Sequence, residues 1–227
     1  MACLAVTPVA NQMQSTLRIT EIFHSLQGEA LTSGLPTVFV RLTGCPLRCQ
    51  YCDSAYAFTG GSLWTLERIL REVASFGARH VCVTGGEPLA QPNCLPLLRA
   101  LCDAGFAVSL ETSGALDVSA VDPRVSRVVD LKTPGSAECH RNLYANLPLL
   151  GANDQLKFVI CSREDYEWAR SKLIEFDLVG RVGEVLFSPS HGQVEPRALA
   201  EWILADRLAV RFQLQLHKLL WNDEPGR

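Results

Sequence analysis

The chain has 227 residues, is 48% hydrophobic and carries a formal net charge of −3. That length and apolar content suit one domain with a buried core. The mildly acidic balance, with no basic stretch, gives no support to direct binding of nucleic acid or a membrane surface.

No apolar run is long enough to cross a bilayer. Residues 1–16 lack the basic start and apolar centre of a signal peptide, so they are expected to be a flexible leader before a single domain over 17–227. Without a secretory signal, the nine cysteines fit a reducing cytoplasm, where clustered thiols point to metal rather than disulfides. Cys3, Cys82, Cys94, Cys102, Cys139 and Cys161 are scattered, several within apolar runs, and read as small buried hydrophobes.

In chain order, β-branched runs alternate with helical stretches. Strands are expected at Leu17–Phe23 and Thr37–Leu42, then a helix at Thr65–Phe76, where Leu66, Ile69, Leu70 and Val73 recur at helical spacing and Gly77 marks the stop. A strand at His80–Val83, a helix at Cys94–Ala104 and strands at Ala107–Leu110 and Arg127–Leu131 follow. Next come a helix at Ala137–Leu149, a strand at Gln155–Ile160 and a helix at Arg163–Glu175, whose first-turn acids suit the helix dipole. The last elements are a strand at Glu184–Phe187, a helix at Pro196–Ala205 and a strand at Val210–Leu214. This alternation predicts an α/β fold with mainly parallel strands and helices outside. The polar signatures TGGEP, ETSG, Lys132, SPSHG and His217 all follow strands, as in barrel-like folds whose chemistry sits at strand carboxyl ends. With fewer strands than a closed barrel needs, a partial, open β/α barrel with a wide mouth is expected.

The remaining cysteines form one tight group, Cys45-x3-Cys49-x2-Cys52, in a loop after a strand. Thiolates suit iron–sulfur clusters or zinc. Three local ligands leave one iron of a [4Fe–4S] cube open to a small molecule, whereas zinc would need a distant fourth ligand. On spacing alone both remain possible. Gly85-Gly86-Glu87-Pro88 is on its own an ordinary strand-to-helix turn, in which glycines also permit close backbone approach to a ligand.

The three-cysteine loop, with aromatic Tyr51 before its last cysteine, together with GGEP after a strand, resembles the radical S-adenosylmethionine superfamily. Glu21-Ile-Phe-His-Ser-Leu-Gln-Gly-Glu29, Arg41, Asp53-Ser54, Thr84, Glu111-Thr-Ser-Gly114, Asp130-Leu-Lys132 and His217-Lys218 narrow the resemblance to the 7-carboxy-7-deazaguanine synthase family, over about Leu17 to Lys218. The resemblance implies radical ring contraction of 6-carboxy-5,6,7,8-tetrahydropterin to 7-carboxy-7-deazaguanine with loss of ammonia, in the 7-deazapurine pathway to queuosine. It also implies a cytoplasmic homodimer using a [4Fe–4S] cluster, S-adenosyl-L-methionine and Mg2+, with an electron donor such as flavodoxin or ferredoxin.

Carried over residue by residue, the resemblance gives Cys45, Cys49 and Cys52 to the cluster. Ser54 becomes the Mg2+ ligand, where the family usually has threonine; serine keeps the oxygen that Mg2+ demands. Leu26, Gln27, Gly28, Arg41 and Thr84 become substrate contacts. Arg41 offers a planar fork to the substrate carboxylate, and Gln27 can both donate and accept at a pterin edge. Tyr51, Cys52, Asp53, Gly86, Glu87, Glu111 and Ser113 become cofactor contacts. Asp130, Leu131 and Lys132 stand where the family often has SPK, and Ser188, Pro189, Ser190 and His191 where it often has QP-x-x. Both turns are expected to touch the cofactor. No side chain is assigned as catalytic, since the cofactor carries the radical, and a lone His217 near the terminus reads as structural. Two competitors stand beside this reading. A glycyl-radical activase would not need LQGE plus Arg41. A non-catalytic zinc or iron–sulfur protein would need a fourth protein ligand and would have no use for GGEP.

Overall fold

The computed structural model describes residues 15–222 together with Glu224 and Gly226. The expected leader lies outside the described residues except for Ser15 and Thr16. Thr16–Leu26 (β1) pairs antiparallel with Pro36–Leu42 (β2) on one side and with Ser62–Thr65 (β3) on the other. From β2 a parallel series runs through His80–Gly85 (β4), Ala107–Thr112 (β5), Ser126–Asp130 (β6), Gln155–Ile160 (β7), Glu184–Pro189 (β8) and Arg211–Phe212 (β9). Among the described residues the order β3-β1-β2-β4-β5-β6-β7-β8-β9 makes one open, nine-stranded sheet. This is the expected partial barrel, not a closed one.

The alternation of side chains along each strand divides the molecule in two. Val38, Val40 and Leu42 of β2, Val81 and Val83 of β4, Leu110 of β5, Val129 of β6, and Leu156, Phe158 and Ile160 of β7 point into the apolar core. Their neighbours in sequence, Phe39, Arg41, Thr84, Glu111, Val128, Asp130, Lys157 and Val159, line a cavity on the opposite face. Helices Leu66–Ser75 (α1), Cys94–Asp103 (α2), Arg163–Glu175 (α3) and Pro196–Asp206 (α4) cover the core face with Ile69, Val73, Leu97, Leu101, Tyr166, Leu173 and Leu199. Local signals start these helices. The Thr65 hydroxyl accepts from the Arg68 amide, and the Ser162 hydroxyl accepts from the Asp165 amide.

Two expectations are corrected, and one element is new. The segment Ala137–Leu149 is not an α-helix. It forms 3-10 turns at Cys139–Arg141 and Tyr144–Leu149, because Pro148 removes a backbone donor and polar side chains tie the backbone elsewhere. The last strand shrinks to β9, and Leu216–Trp221 is a short helix (α5). The edge strand β3 was not expected, since four residues of SLWT carry too little alternation to register.

Asp165 pins the rim to the outer layer. Almost fully buried, it accepts from Thr133 Oγ1 at 2.9 Å, the Gly135 amide at 2.8 Å and the Cys161 amide at 3.0 Å. Asp165→Ala strands the Gly135 and Cys161 amides and should lower unfolding stability by about 3 kcal/mol, read from the urea midpoint at unchanged m-value.

Candidate active site

At the carboxyl ends of the strands lies a cavity of about 580 Å³. Cys45, Cys49 and Cys52 all line it, on the loop between β2 and β3. The loop is anchored at several points. Gly44 N–H donates to Ala57 O at 2.8 Å, Gln50 N–H to Ser136 O at 3.1 Å and Arg48 N–H to Glu138 Oε1 at 2.6 Å. Leu47, between the first two cysteines, is buried. Burial pushes the Cys45 and Cys49 thiols up, Cys49 to about 11, although the Lys132 ammonium pulls the other way. Thiols bind a metal centre as thiolates, so ligation there would release their protons. Among the described residues no three His, Cys, Asp or Glu side chains converge on a point that would hold a single ion. A [4Fe–4S] cube takes one thiolate per corner and asks for no such convergence. Three thiols on one cavity-lining loop fit three corners of such a cube.

Gly86 is pressed against this loop. A Cβ there would stand 2.2 Å from the Gly44 carbonyl oxygen and 2.9 Å from the Cys45 Cβ, so only glycine lets the two turns meet. The next residue, Glu87, donates its amide to Gly44 O at 2.7 Å. Its side chain turns away from the cavity and is fully buried. There the carboxylate accepts from the Thr112 hydroxyl, the Ser113 amide and hydroxyl, and the Leu89 amide.

On the wall opposite, Lys132 is buried and its ammonium meets Asp130 Oδ2 at 2.8 Å, 5.6 Å from the Tyr51 ring centre. Burial disfavours its charge, yet Asp130 and the neighbouring cysteines hold it above the ordinary lysine value. Asp130 Oδ1 and the Tyr51 hydroxyl are buried with no hydrogen-bond partner among the described residues, and both residues line the cavity. Unpartnered polar atoms in such a place call for a polar ligand.

At the β1 end, the Glu111 carboxylate accepts from Gln27 Nε2 at 3.3 Å and from the Thr84 hydroxyl at 3.1 Å. Arg41 donates its Nε–H to Glu21 Oε1 at 2.6 Å and lies over the Phe23 and Tyr56 rings, 5.8 and 5.7 Å from their centres. Its Nη groups have no partner among the described residues. Burial works against the Arg41 charge, but Tyr56 and Glu21 more than offset it. Gly28 packs against His217, whose Nδ1 would stand 2.6 Å from a Cβ there, so a larger residue would displace that side chain. His217 also lines the cavity.

Of the residues expected here, the three cysteines, Leu26, Gln27, Gly28, Arg41, Tyr51, Asp53, Ser54, Thr84, Gly86, Glu111, Ser113, Asp130, Lys132, Ser190 and His191 come together on the cavity wall. Four, Glu87, Leu131, Ser188 and Pro189, do not line the wall. Strand alternation turns Leu131 into the core, and Pro189 falls on the same side. Ser188 is buried off the wall with its hydroxyl unpartnered among the described residues. Glu87 is consumed by the strand ends it joins.

Sequence reasoning missed a network at the mouth. Glu29 pairs with Lys157 and accepts from Gln215 Nε2 at 2.6 Å, and Gln215 also reaches Asp53 Oδ2 at 3.4 Å. Lys218 meets the same Asp53 oxygen at 3.3 Å. One signal was present: a lysine in the otherwise apolar run QLKFVI. Burial alone would raise the Glu29 carboxyl, but Lys157 outweighs it and holds it below 4.5.

The radical SAM superfamily model matches residues 39–172. The chain is 46% identical over 215 residues to a 7-carboxy-7-deazaguanine synthase of Chlorobaculum tepidum, covering 93% of this chain and 97% of that protein. It is 41% identical over 222 residues to the protein of the same name from Koribacter versatilis, covering 92% and 98%. Among solved structures, QueE from Escherichia coli superposes with a TM-score of 0.73 at 27% identity, covering 90% of this chain and 96% of that one.

The Glu29–Lys157 pair makes a pH-dependent contribution. A carboxyl held below its unfolded value stabilises above that value and loses the contribution as pH falls through the folded one. Glu29→Gln should therefore cost about 3 kcal/mol at pH 7. The gap from the unsubstituted protein should close as pH falls below 4.5, as measured by urea unfolding across pH.

Proposed function

This chain belongs to the radical SAM superfamily and, within it, to the 7-carboxy-7-deazaguanine synthases; from that premise we propose how its own residues carry the reaction. The reaction is ring contraction of 6-carboxy-5,6,7,8-tetrahydropterin to 7-carboxy-7-deazaguanine with loss of ammonia, in queuosine biosynthesis. The family uses a [4Fe–4S] cluster and S-adenosyl-L-methionine, which when bound supply radical hydrogen abstraction at the pterin C6.

Cys45, Cys49 and Cys52 are assigned to the cluster, leaving one iron for the cofactor. The support is their common place on the cavity wall and the close seat of Gly86 against their loop. Asp130 and Tyr51 supply unpartnered oxygens for the cofactor's hydroxyl and amino groups, and Lys132 supplies a fixed positive charge for its carboxylate. Asp53, Ser113, Ser190 and His191 complete this side of the wall.

The pterin is assigned to the β1 end. Its amino-pyrimidinone edge presents adjacent N–H donors, which the two oxygens of Glu111 match, and Gln27 and Thr84 hold that carboxylate in place. Glu111 thus moves from the cofactor side to the substrate side of the assignment. Leu26 and Gly28 flank the ring. The observation that carries the reading is Arg41: a largely buried guanidinium on the cavity wall whose Nη groups have no partner among the described residues. A substrate carboxylate satisfies them.

Mg2+ is assigned to Ser54, whose hydroxyl lies 3.9 Å from Cys52 Sγ on the same wall. A homodimer, a flavodoxin- or ferredoxin-type electron donor and a cytoplasmic location complete the proposal. Among the described residues no helix is long and apolar enough to cross a membrane.

The test is anaerobic reconstitution followed by assay with the carboxylated tetrahydropterin, S-adenosylmethionine, Mg2+ and a reductant. About four irons per chain and formation of the deazaguanine acid with release of ammonia are expected. Arg41→Ala should keep the iron and raise KM by at least about tenfold. Iron-loaded enzyme that makes no deazaguanine acid would overturn the substrate assignment, and colourless protein holding stoichiometric zinc would overturn the cluster assignment.

A further inference from the structure

We propose that Glu21 is the positioning residue of the substrate-carboxylate clamp: held by Tyr56, it occupies the Nε side of Arg41 and leaves the Nη edge as the face offered to the ligand. The inference rests on the assignment of Arg41 as the clamp.

Glu21 of β1 and Arg41 of β2 are direct partners in the antiparallel register, immediately after an irregularity between Ile19 and Glu21. A single oxygen, Glu21 Oε1, accepts both the Arg41 Nε–H at 2.6 Å and the Tyr56 hydroxyl at 2.7 Å. The Phe23 and Tyr56 rings limit the tilt of the guanidinium, and Phe23 is itself stacked on Phe39 at 5.0 Å. Position, tilt and rotation of the fork are thus all set before any ligand arrives.

An arginine can meet a carboxylate through two edges, one formed by both Nη groups and one that includes Nε. Here Glu21 occupies the second. A ligand carboxylate is therefore directed to the Nη edge, which fixes the direction from which the ring bearing it enters the cavity. Glu21 also balances the charge of Arg41, so a stray anion gains little from charge alone. The gain is reserved for a group that places two oxygens along the fork.

The bond from Tyr56 separates this arrangement from an ordinary cross-strand ion pair. Tyr56 belongs to the 3-10 turn Ala55–Phe58, directly after Cys52 and Ser54. The clamp is thereby tied to the cysteine loop rather than only to the neighbouring strand. Both members of the pair are largely buried, with side chains 16% and 23% exposed. A pair serving only to join β1 to β2 would carry that desolvation cost where a backbone ladder already joins them.

The experiment uses cluster-loaded enzyme with S-adenosylmethionine and no reductant, so that nothing reacts. Dissociation constants are measured for the carboxylated tetrahydropterin and for tetrahydropterin lacking the carboxyl group. Glu21→Ala should weaken the carboxylated ligand about tenfold and leave the other unchanged. Glu21→Gln keeps an acceptor oxygen for both donors and should stay within about threefold of the unsubstituted enzyme. In turnover, KM should rise with a smaller change in kcat. Equal weakening of both ligands by Glu21→Ala, or no weakening of the carboxylated one, would overturn the inference. If Arg41→Ala itself leaves the carboxylated ligand unaffected, the clamp assignment has failed, and that outcome is read separately. Should Glu21→Ala not hold its cluster, Tyr56→Phe removes only the hydroxyl on Oε1. It should give a smaller loss, again confined to the carboxylated ligand, and a loss shared by both ligands would overturn the inference.

Discussion

The Glu87 carboxylate, fully buried between the ends of β4 and β5, accepts hydrogen bonds from Thr112, Ser113 and Leu89 and leaves none of its charge facing the cavity. Its own amide binds the Gly44 carbonyl at the root of the cysteine loop. One residue thus holds three chain segments at fixed separation. Gly86 beside it allows the contact, because any side chain would collide with Gly44. The cysteine loop can only be a cluster site if its base is rigid, and this is where that rigidity originates.

From that base the cavity has two ends of different chemistry. Near the cysteines stand the buried Lys132 ammonium and the unpartnered Asp130 and Tyr51 oxygens. Toward β1 stand Glu111 with Gln27 and Thr84, and Arg41 between two rings. The first end suits a zwitterionic, hydroxyl-bearing cofactor and the second a flat, carboxylated heterocycle. At the mouth, Glu29, Lys157, Gln215, Asp53 and Lys218 join the loop after β1, strand β7, the cysteine loop and the C-terminal segment. A radical reaction needs two bound molecules held close and shielded from water. These cross-ties order the walls at the mouth, as such a reaction would require.

Much of this was legible in the sequence because strand and loop chemistry are local. Runs such as HVCV and KFVI announced β4 and β7, and the cysteine spacing announced the site. What local pattern could not convey was direction. Leu131 and Pro189 sat in the right turns but on the core face, a matter of parity set by the whole sheet. The Glu87 side chain joins strand ends, which local pattern could not show, since Thr112 and Ser113 lie 25 and 26 positions away. Ala137–Leu149 looked helical by composition, and Pro148 with side-chain bonds from Asn142 and Asn146 broke it into turns. Glu21 opened a family motif without a role of its own. Its meaning came from Arg41 and Tyr56, brought to it by the fold.

The central claim is that one cavity holds the cluster on three cysteines at one end and the pterin carboxylate on Arg41 at the other. The most direct measurement is a crystal structure of the anaerobically loaded enzyme with S-adenosylmethionine and the carboxylated tetrahydropterin. The account predicts iron bonded to Cys45, Cys49 and Cys52 and the substrate carboxylate on the Nη edge of Arg41, with Glu21 still on Nε. A carboxylate bound elsewhere, or a fourth protein ligand on the cluster in place of the cofactor, would contradict it.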